Sequence, residues 1–188
     1  TRNRSTLAAA ALGVLVLSSA APTAGVQHAS ATDAPAAAAP ALVADAAMRG
    51  DEAAVRAVLK QKADVNAPQG DGMTALHWAA ASGNQALAEV LIAAGAKPSA
   101  RTRIGQHTPL HVAAKGGHDA VMRGLLAAGA DVRALTTTGA APLHFAAAAG
   151  SVPAVKLLLD AGVDVNVREP QWGQTPLMFA AAAGRTEV

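Results

Sequence analysis

A four-residue phrase returns along this chain at a nearly constant interval. Thr108-Pro109-Leu110-His111 has close relatives at Thr74-Ala75-Leu76-His77, Ala141-Pro142-Leu143-His144 and Thr175-Pro176-Leu177-Met178. The leucines stand 34, 33 and 34 residues apart. Self-similarity at a period of this size means a row of small alike units, none able to bury its apolar face alone, so that neighbours must stack. Length then counts units rather than domains, and each unit meets only the ones beside it.

Other landmarks keep the same beat. Gly50, Gly83, Gly117, Gly150 and Gly184 follow the first helical half of each unit, and Gly95, Gly129 and Gly162 close the second half. Ala63-Asp64-Val65-Asn66, Ala130-Asp131-Val132-Arg133 and Val163-Asp164-Val165-Asn166 lead into the next unit. Taken together over residues 42–188, these positions resemble the ankyrin repeat. The resemblance implies a mainly α solenoid of helix-turn-helix units with β-hairpin or loop fingers, and a surface that binds other proteins.

The helix boundaries have a local physical basis. Thr74, Thr108 and Thr175 are placed to cap the first helix of their units by accepting a backbone N–H. Pro109, Pro142 and Pro176 suit the next position, where no amide hydrogen is needed. Ala141 cannot cap, so a weaker helix start is expected in unit four. Unit three carries one extra residue before its cap, Gly105-Gln106-His107 against Gly72-Met73, and its finger should bulge. The units are expected at 42–69, 70–101, 102–135, 136–168 and 169–188. The first, with Val43 at the leucine position, is a degenerate polar cap. The last stops at Val188 inside its expected second helix, which suggests a longer protein.

Composition matters mainly for what it excludes. The net charge of +2 comes from Arg2 and Arg4, because residues 32–188 balance their acids and bases. Nucleic-acid binding needs a concentrated cationic face to displace counterions, so nucleic acid is not an expected partner. Residues 1–31 hold no acid and read as a secretory signal: Arg2 and Arg4, an apolar run from Leu7 to Leu17, then small residues permitting cleavage after Ala20 or Ala31. An uncleaved anchor or an organellar transit peptide stays open. The apolar run is too short for a membrane span, and no stable membrane association is expected after the leader is removed. Thr32–Ala41 is an alanine and proline spacer. A periplasmic or secreted location is expected, and the absence of cysteine removes any disulfide framework.

Histidine invites a metal reading, since His77, His111 and His144 share the repeat's period. Packed helices lie roughly 8–10 Å apart, whereas zinc needs nitrogens about 2.0–2.1 Å from one ion. Successive repeats therefore do not share a metal. The ankyrin resemblance implies that these rings hydrogen-bond backbone across the finger region. His107 and His111 have chelating spacing, but the helix is expected to begin after His107, and no glutamate follows it. Asp64 and Asp164 open like calcium loops and then lack the fifth-position oxygen, the glycine and the final glutamate, which leaves ordinary turns. There is no cysteine, no Gly-x-Ser-x-Gly elbow and no phosphate loop. No metal, no cofactor and no catalytic residues are expected, and the chain is read as a monomer.

Binding remains, and the resemblance places it on the finger tips and exposed sides of the first helices. Those positions are Asp71, Met73, Ala81 and Ser82 in unit two, and Arg103, His107, Lys115 and Gly116 in unit three. In unit four they are Thr138, Ala140, Ala148 and Ala149, and in unit five Trp172, Gln174, Ala182 and Ala183. Arg101, Arg103, Arg133 and Arg168 form either a basic ridge or, preferably, solvated loop charges interleaved with Asp71, Asp131, Asp164 and Glu169. Trp172 is either an exposed anchor or packed on the adjacent repeat. Trp78, Phe145 and Phe179 are expected in the core. The functional expectation is an exported, non-enzymatic scaffold binding a protein partner. A targeting or autoinhibitory arm of an exported enzyme encoded beyond Val188, and a secreted effector acting on host proteins, are the alternatives.

Overall fold

The computed structural model describes residues 41–188. The leader, and all of the spacer except Ala41, lie outside the described residues. Within them stand nine helices and no strand: α1 (Leu42–Met48), α2 (Glu52–Lys60), α3 (Ala75–Ser82), α4 (Gln85–Ala93), α5 (Pro109–Gly116), α6 (Asp119–Ala127), α7 (Pro142–Ala149), α8 (Val152–Asp160) and α9 (Pro176–Ala182). First helices stack as α1, α3, α5, α7, α9; α4, α6 and α8 form a second layer, and α2 packs on α1.

Local chemistry sets these boundaries where the sequence places them. Thr108 Oγ1 accepts the His111 N–H, Pro109 opens α5, and the same arrangement starts α9 at Thr175 and Pro176. Each of α3, α5 and α7 ends on a left-handed glycine, Gly83, Gly117 or Gly150, because a residue without Cβ adopts that conformation at least cost. The second helices begin on side-chain caps at Asp51, Asn84 and Ser151. His118 takes the equivalent place before α6 without capping.

Leu76, Leu110 and Leu143 are buried, together with Leu87, Leu91, Val121, Leu125 and Leu158. Between them run alanine pairs, Ala79-Ala80, Ala113-Ala114 and Ala146-Ala147, all buried. Small side chains let neighbouring first helices approach closely, so the core is built from leucine ridges set into alanine grooves. Trp78, Phe145 and Phe179 are half-buried, at the edge of this core rather than inside it.

The first unit is tied down by polar groups. Trp78 Nε1 donates to Gln69 Oε1 at 2.7 Å, and Gln69 Nε2 donates to Asp45 Oδ1 at 2.6 Å, joining α3 to α1 through one amide. Val43 fills the leucine position and is buried. Arg49, Lys60 and Lys62 remain on the surface, as a terminal unit requires.

Unit five differs from expectation twice. Val188 is not inside a second helix, because the chain after Ala182 is irregular. Leu177, expected as a core leucine, is 69% exposed, with Met178 beside it at 51%.

Unit four starts its first helix normally despite Ala141. The Ala141 N–H is taken by His144 Nδ1 at 3.1 Å, the bond that Thr74 and Thr108 also make to their histidines, so only the side-chain acceptor of a threonine cap is missing. Ala141 has φ −87° and ψ 165°, close to the −91° and 164° of Thr108. Ala141→Thr should therefore stabilise the fold by about 1 kcal/mol, the usual value of such a cap, as a rise in the urea midpoint at unchanged m-value.

Candidate protein-binding face

The fingers are loops, each closed across its base by a backbone hydrogen bond. Gln69 N–H donates to Met73 O (2.8 Å) and Thr136 N–H to Ala140 O (3.1 Å). The bonds from Thr102 N–H to His107 O (2.9 Å) and from Glu169 N–H to Gln174 O (3.0 Å) each enclose one residue more. Fingers three and five are therefore both long, where the cap spacing singled out only the former. In finger three Gln106 accommodates the added residue at φ +55°, a left-handed conformation unusual for a residue with a side chain. Successive fingers are joined by Arg103 N–H to Asp71 O at 2.8 Å and Thr137 N–H to Gly105 O at 3.0 Å. Pro170 takes the next place in this series and has no hydrogen to give, so finger five lacks that link.

The repeated histidines are structural. Thr74 N–H and Oγ1 both lie against His77 Nδ1, which fixes it as the acceptor, and Nε2–H donates to His107 O at 3.0 Å. His144 does the same with Ala141 N–H and Gln174 O. These two bear out the expected backbone bond across the fingers. His111 departs from it: its Nδ1 is held by Thr108, but Nε2 is buried without a partner. Its ring instead meets His107 and Phe145 edge to face, with centroids 6.0 and 5.7 Å away. Burial pushes all three side chains toward the neutral form; His111, with His107 adding repulsion, falls to about 4. Rings that are buried, neutral and fixed in tautomer are poor candidates for acid-base chemistry.

Glu169 reverses its expected character. Instead of a solvated loop charge it is a buried carboxylate that accepts the N–H groups of Gln171, Trp172 and Gln174. Burial acts to raise its pKa, but the three amide donors outweigh it and hold the group below the ordinary value. Glu169→Ala should release finger five, seen as faster amide hydrogen exchange at Gln171, Trp172 and Gln174 with the other fingers unchanged.

Arginines 101, 133 and 168 are exposed loop charges, as preferred, each also tied to a backbone carbonyl. Their guanidinium groups donate to Leu135 O (2.9 Å), Gly162 O (3.2 Å) and Gly173 O (2.9 Å), and the first two of these bonds cross to the next unit. Asp64, Asp131 and Asp164 each accept the N–H two residues on, which makes the expected turns.

Asp71, Met73, His107 and Lys115 come together. With Thr102, Ile104 and Val112 they line a groove of about 330 Å³ between fingers two and three. Arg103 stands exposed at the tip beside it, and Ala81, Ser82, Gly116 and Thr138 are also exposed. The Ser82 hydroxyl turns back to Trp78 O at 3.0 Å. Ala148 and Ala149 are half-buried, and Ala182 and Ala183 are exposed. Ala140 is not available to a partner: it is 2% exposed, with its N–H on Thr136 Oγ1 and its carbonyl closing the finger. Gln174 is half-buried, and its backbone is committed to Glu169 and His144. Trp172 projects from its finger, 69% exposed. The expected set omits Ile104, 80% exposed, although an isoleucine between Arg103 and Gly105 in a polar finger carries the same signal as Trp172. Among the described residues no group of three histidine, aspartate or glutamate side chains is placed to hold a metal, and no helix is long and apolar enough to cross a membrane.

A stack of helix pairs edged by loops, with the two most protruding apolar side chains of its fingers, Ile104 and Trp172, at loop tips, defines a repeat solenoid of the interaction class. The family model for ankyrin repeats, in three copies, matches residues 43–136 and again 110–188. The chain belongs to the ankyrin-repeat family, whose repeats support protein–protein interaction. No curated protein matches it.

Proposed function

We propose that this protein is a non-enzymatic scaffold, exported from the cytoplasm, that holds a protein partner along its fingers and first helices. The observation that carries the binding reading is the groove between fingers two and three, with Ile104 at its rim. Ile104 is not an isolated surface residue but continues the apolar lining of the groove, and a contiguous apolar patch of this kind is what an interface core uses as its anchor. The export reading is supported by the order of Arg2 and Arg4, the apolar run Leu7–Leu17 and the small residues ending at Ala20 and Ala31.

Two measurements test the two halves. Residues 1–31 fused to alkaline phosphatase in a bacterial host should give activity outside the cytoplasm, and the mature N-terminus should begin at residue 21 or 32; activity confined to the cytoplasm removes the export reading. Full-length protein immobilised and titrated with fractionated extracytoplasmic proteins should give saturable binding to a defined partner. Binding that never saturates removes the scaffold reading.

A further inference from the structure

We propose that fingers three and five form a two-point grip on an acidic, apolar segment of the partner protein, with one apolar side chain seated between fingers two and three and a second against Trp172. This inference rests on the protein-binding reading above and specifies its ligand. It begins from a coincidence within the repeat. The two fingers that carry an added residue are the two that expose a large apolar side chain, Ile104 at 80% and Trp172 at 69%. Finger two presents Asp71 and finger four Thr138 instead.

Both anchors sit on loops fixed from beneath. Thr102 Oγ1 donates to Ile104 O at 2.7 Å and accepts the His107 N–H at 3.0 Å. Glu169 holds Trp172 N–H at 2.9 Å and two further amides of its loop. Loops ordered before contact lose little freedom on binding, so their side chains act efficiently as anchors. The groove beside Ile104 is floored by Met73, Val112 and His107, and its about 330 Å³ lies near the lower limit of ligand pockets. That is room for an apolar side chain rather than a large cofactor.

Charge selects the rest of the ligand. Lys115 lines the groove and Arg103 stands at its edge; neither side chain makes an ion pair or hydrogen bond among the described residues. Asp71, the acid there, already accepts the Met73 N–H at 2.8 Å. Two uncommitted cations beside an apolar groove favour a carboxylate next to an apolar side chain. Toward finger five the surface runs over Thr138, Ala148 and Ala149 without charge. Neighbouring units lie roughly 8–10 Å apart, placing the anchors roughly 16–20 Å apart. An extended chain rising about 3.3 Å per residue covers this in about five or six residues.

A phage-displayed random library of peptides about twelve residues long, twice that span, panned on the full chain tests this. Enriched sequences should pair an acid with an aliphatic or aromatic residue and carry a second apolar residue about five or six positions away. The R103E/K115E variant should switch the enrichment from acidic to basic peptides. I104S and W172A should each weaken an enriched synthetic peptide at least about tenfold, as loss of an interface anchor does, while V152S on the opposite layer leaves it unchanged. Unaltered circular dichroism melting establishes that the variants remain folded. Enrichment without acidic residues, or unchanged by charge reversal, overturns the grip and leaves protein binding standing. No enrichment of any sequence also overturns the grip, and the partner titration then decides the broader reading separately.

Discussion

Between pH 6.5 and 4 this fold will lose about 3 kcal/mol through His111 alone, because its ring falls from 6.5 to about 4 on folding. The sign follows from proton counting. In that window the unfolded chain binds a proton at residue 111 and the folded chain does not, so acid favours unfolding. The stabilisation is present in full above pH 6.5 and is lost as the pH falls toward 4. Burial is the main cause, followed by repulsion from His107; Arg101 opposes the charged form as well, and backbone carbonyls of Ala140 and Ala134 only partly offset these effects. His77 and His144 are lowered for the same reason and act in the same direction, although each keeps an Nε2 partner and has an acid, Asp71 or Glu169, that favours its charged form. Urea unfolding at pH 7 and pH 4.5 measures the sum. His111→Gln should remove much of the difference; an unchanged pH slope in that variant would place the sensitivity elsewhere. Glu169 acts in a separate window. Its lowered pKa means that its stabilisation is present above the ordinary carboxylate value and disappears below it, so its loss follows that of the histidines.

The histidines also show how far a sequence carries such a fold. Their period, the caps at Thr108 and Thr175, the prolines opening α5, α7 and α9, and the glycines closing α3, α5 and α7 mark the first helices, because those rules act within a few residues. Stacking then follows from the repeat itself. What happens between fingers does not follow, because it depends on one-residue differences in loop length. Gln106 lengthens finger three, and Ile104 leaves the protein surface there. Glu169, an unremarkable loop acid in the sequence, lies under its loop because finger five is also long and its amides converge on one carboxylate. Ala140 looks like a tip residue by position, yet finger four is short and closes on it. Arg101, Arg133 and Arg168 read correctly as surface charge, and only the backbone carbonyls they meet depend on the stack. The consensus positions were thus legible from local rules, and the binding face was legible only in outline.

Leucines at the same motif position should respond to truncation to very different degrees. Leu110→Ala or Leu143→Ala should cost about 3 kcal/mol, within the range of roughly 2–5 for removing a fully buried leucine from a core that cannot collapse around the gap. Both are at most 1% exposed, and the alanines around them are already as small as a packed helix pair allows. Leu177→Ala should cost well under about 1 kcal/mol, since most of the lost surface is already in water. At 69% exposure Leu177 shares the motif but not the burial of Leu110 and Leu143. The comparison separates two explanations of the motif. If the leucine mattered through its own helix start, all three substitutions would cost alike; if it matters through neighbours, cost should track coverage. Thermal or urea unfolding of the three variants decides this, and a Leu177→Ala loss as large as that of Leu110→Ala would show that the end face is covered in solution.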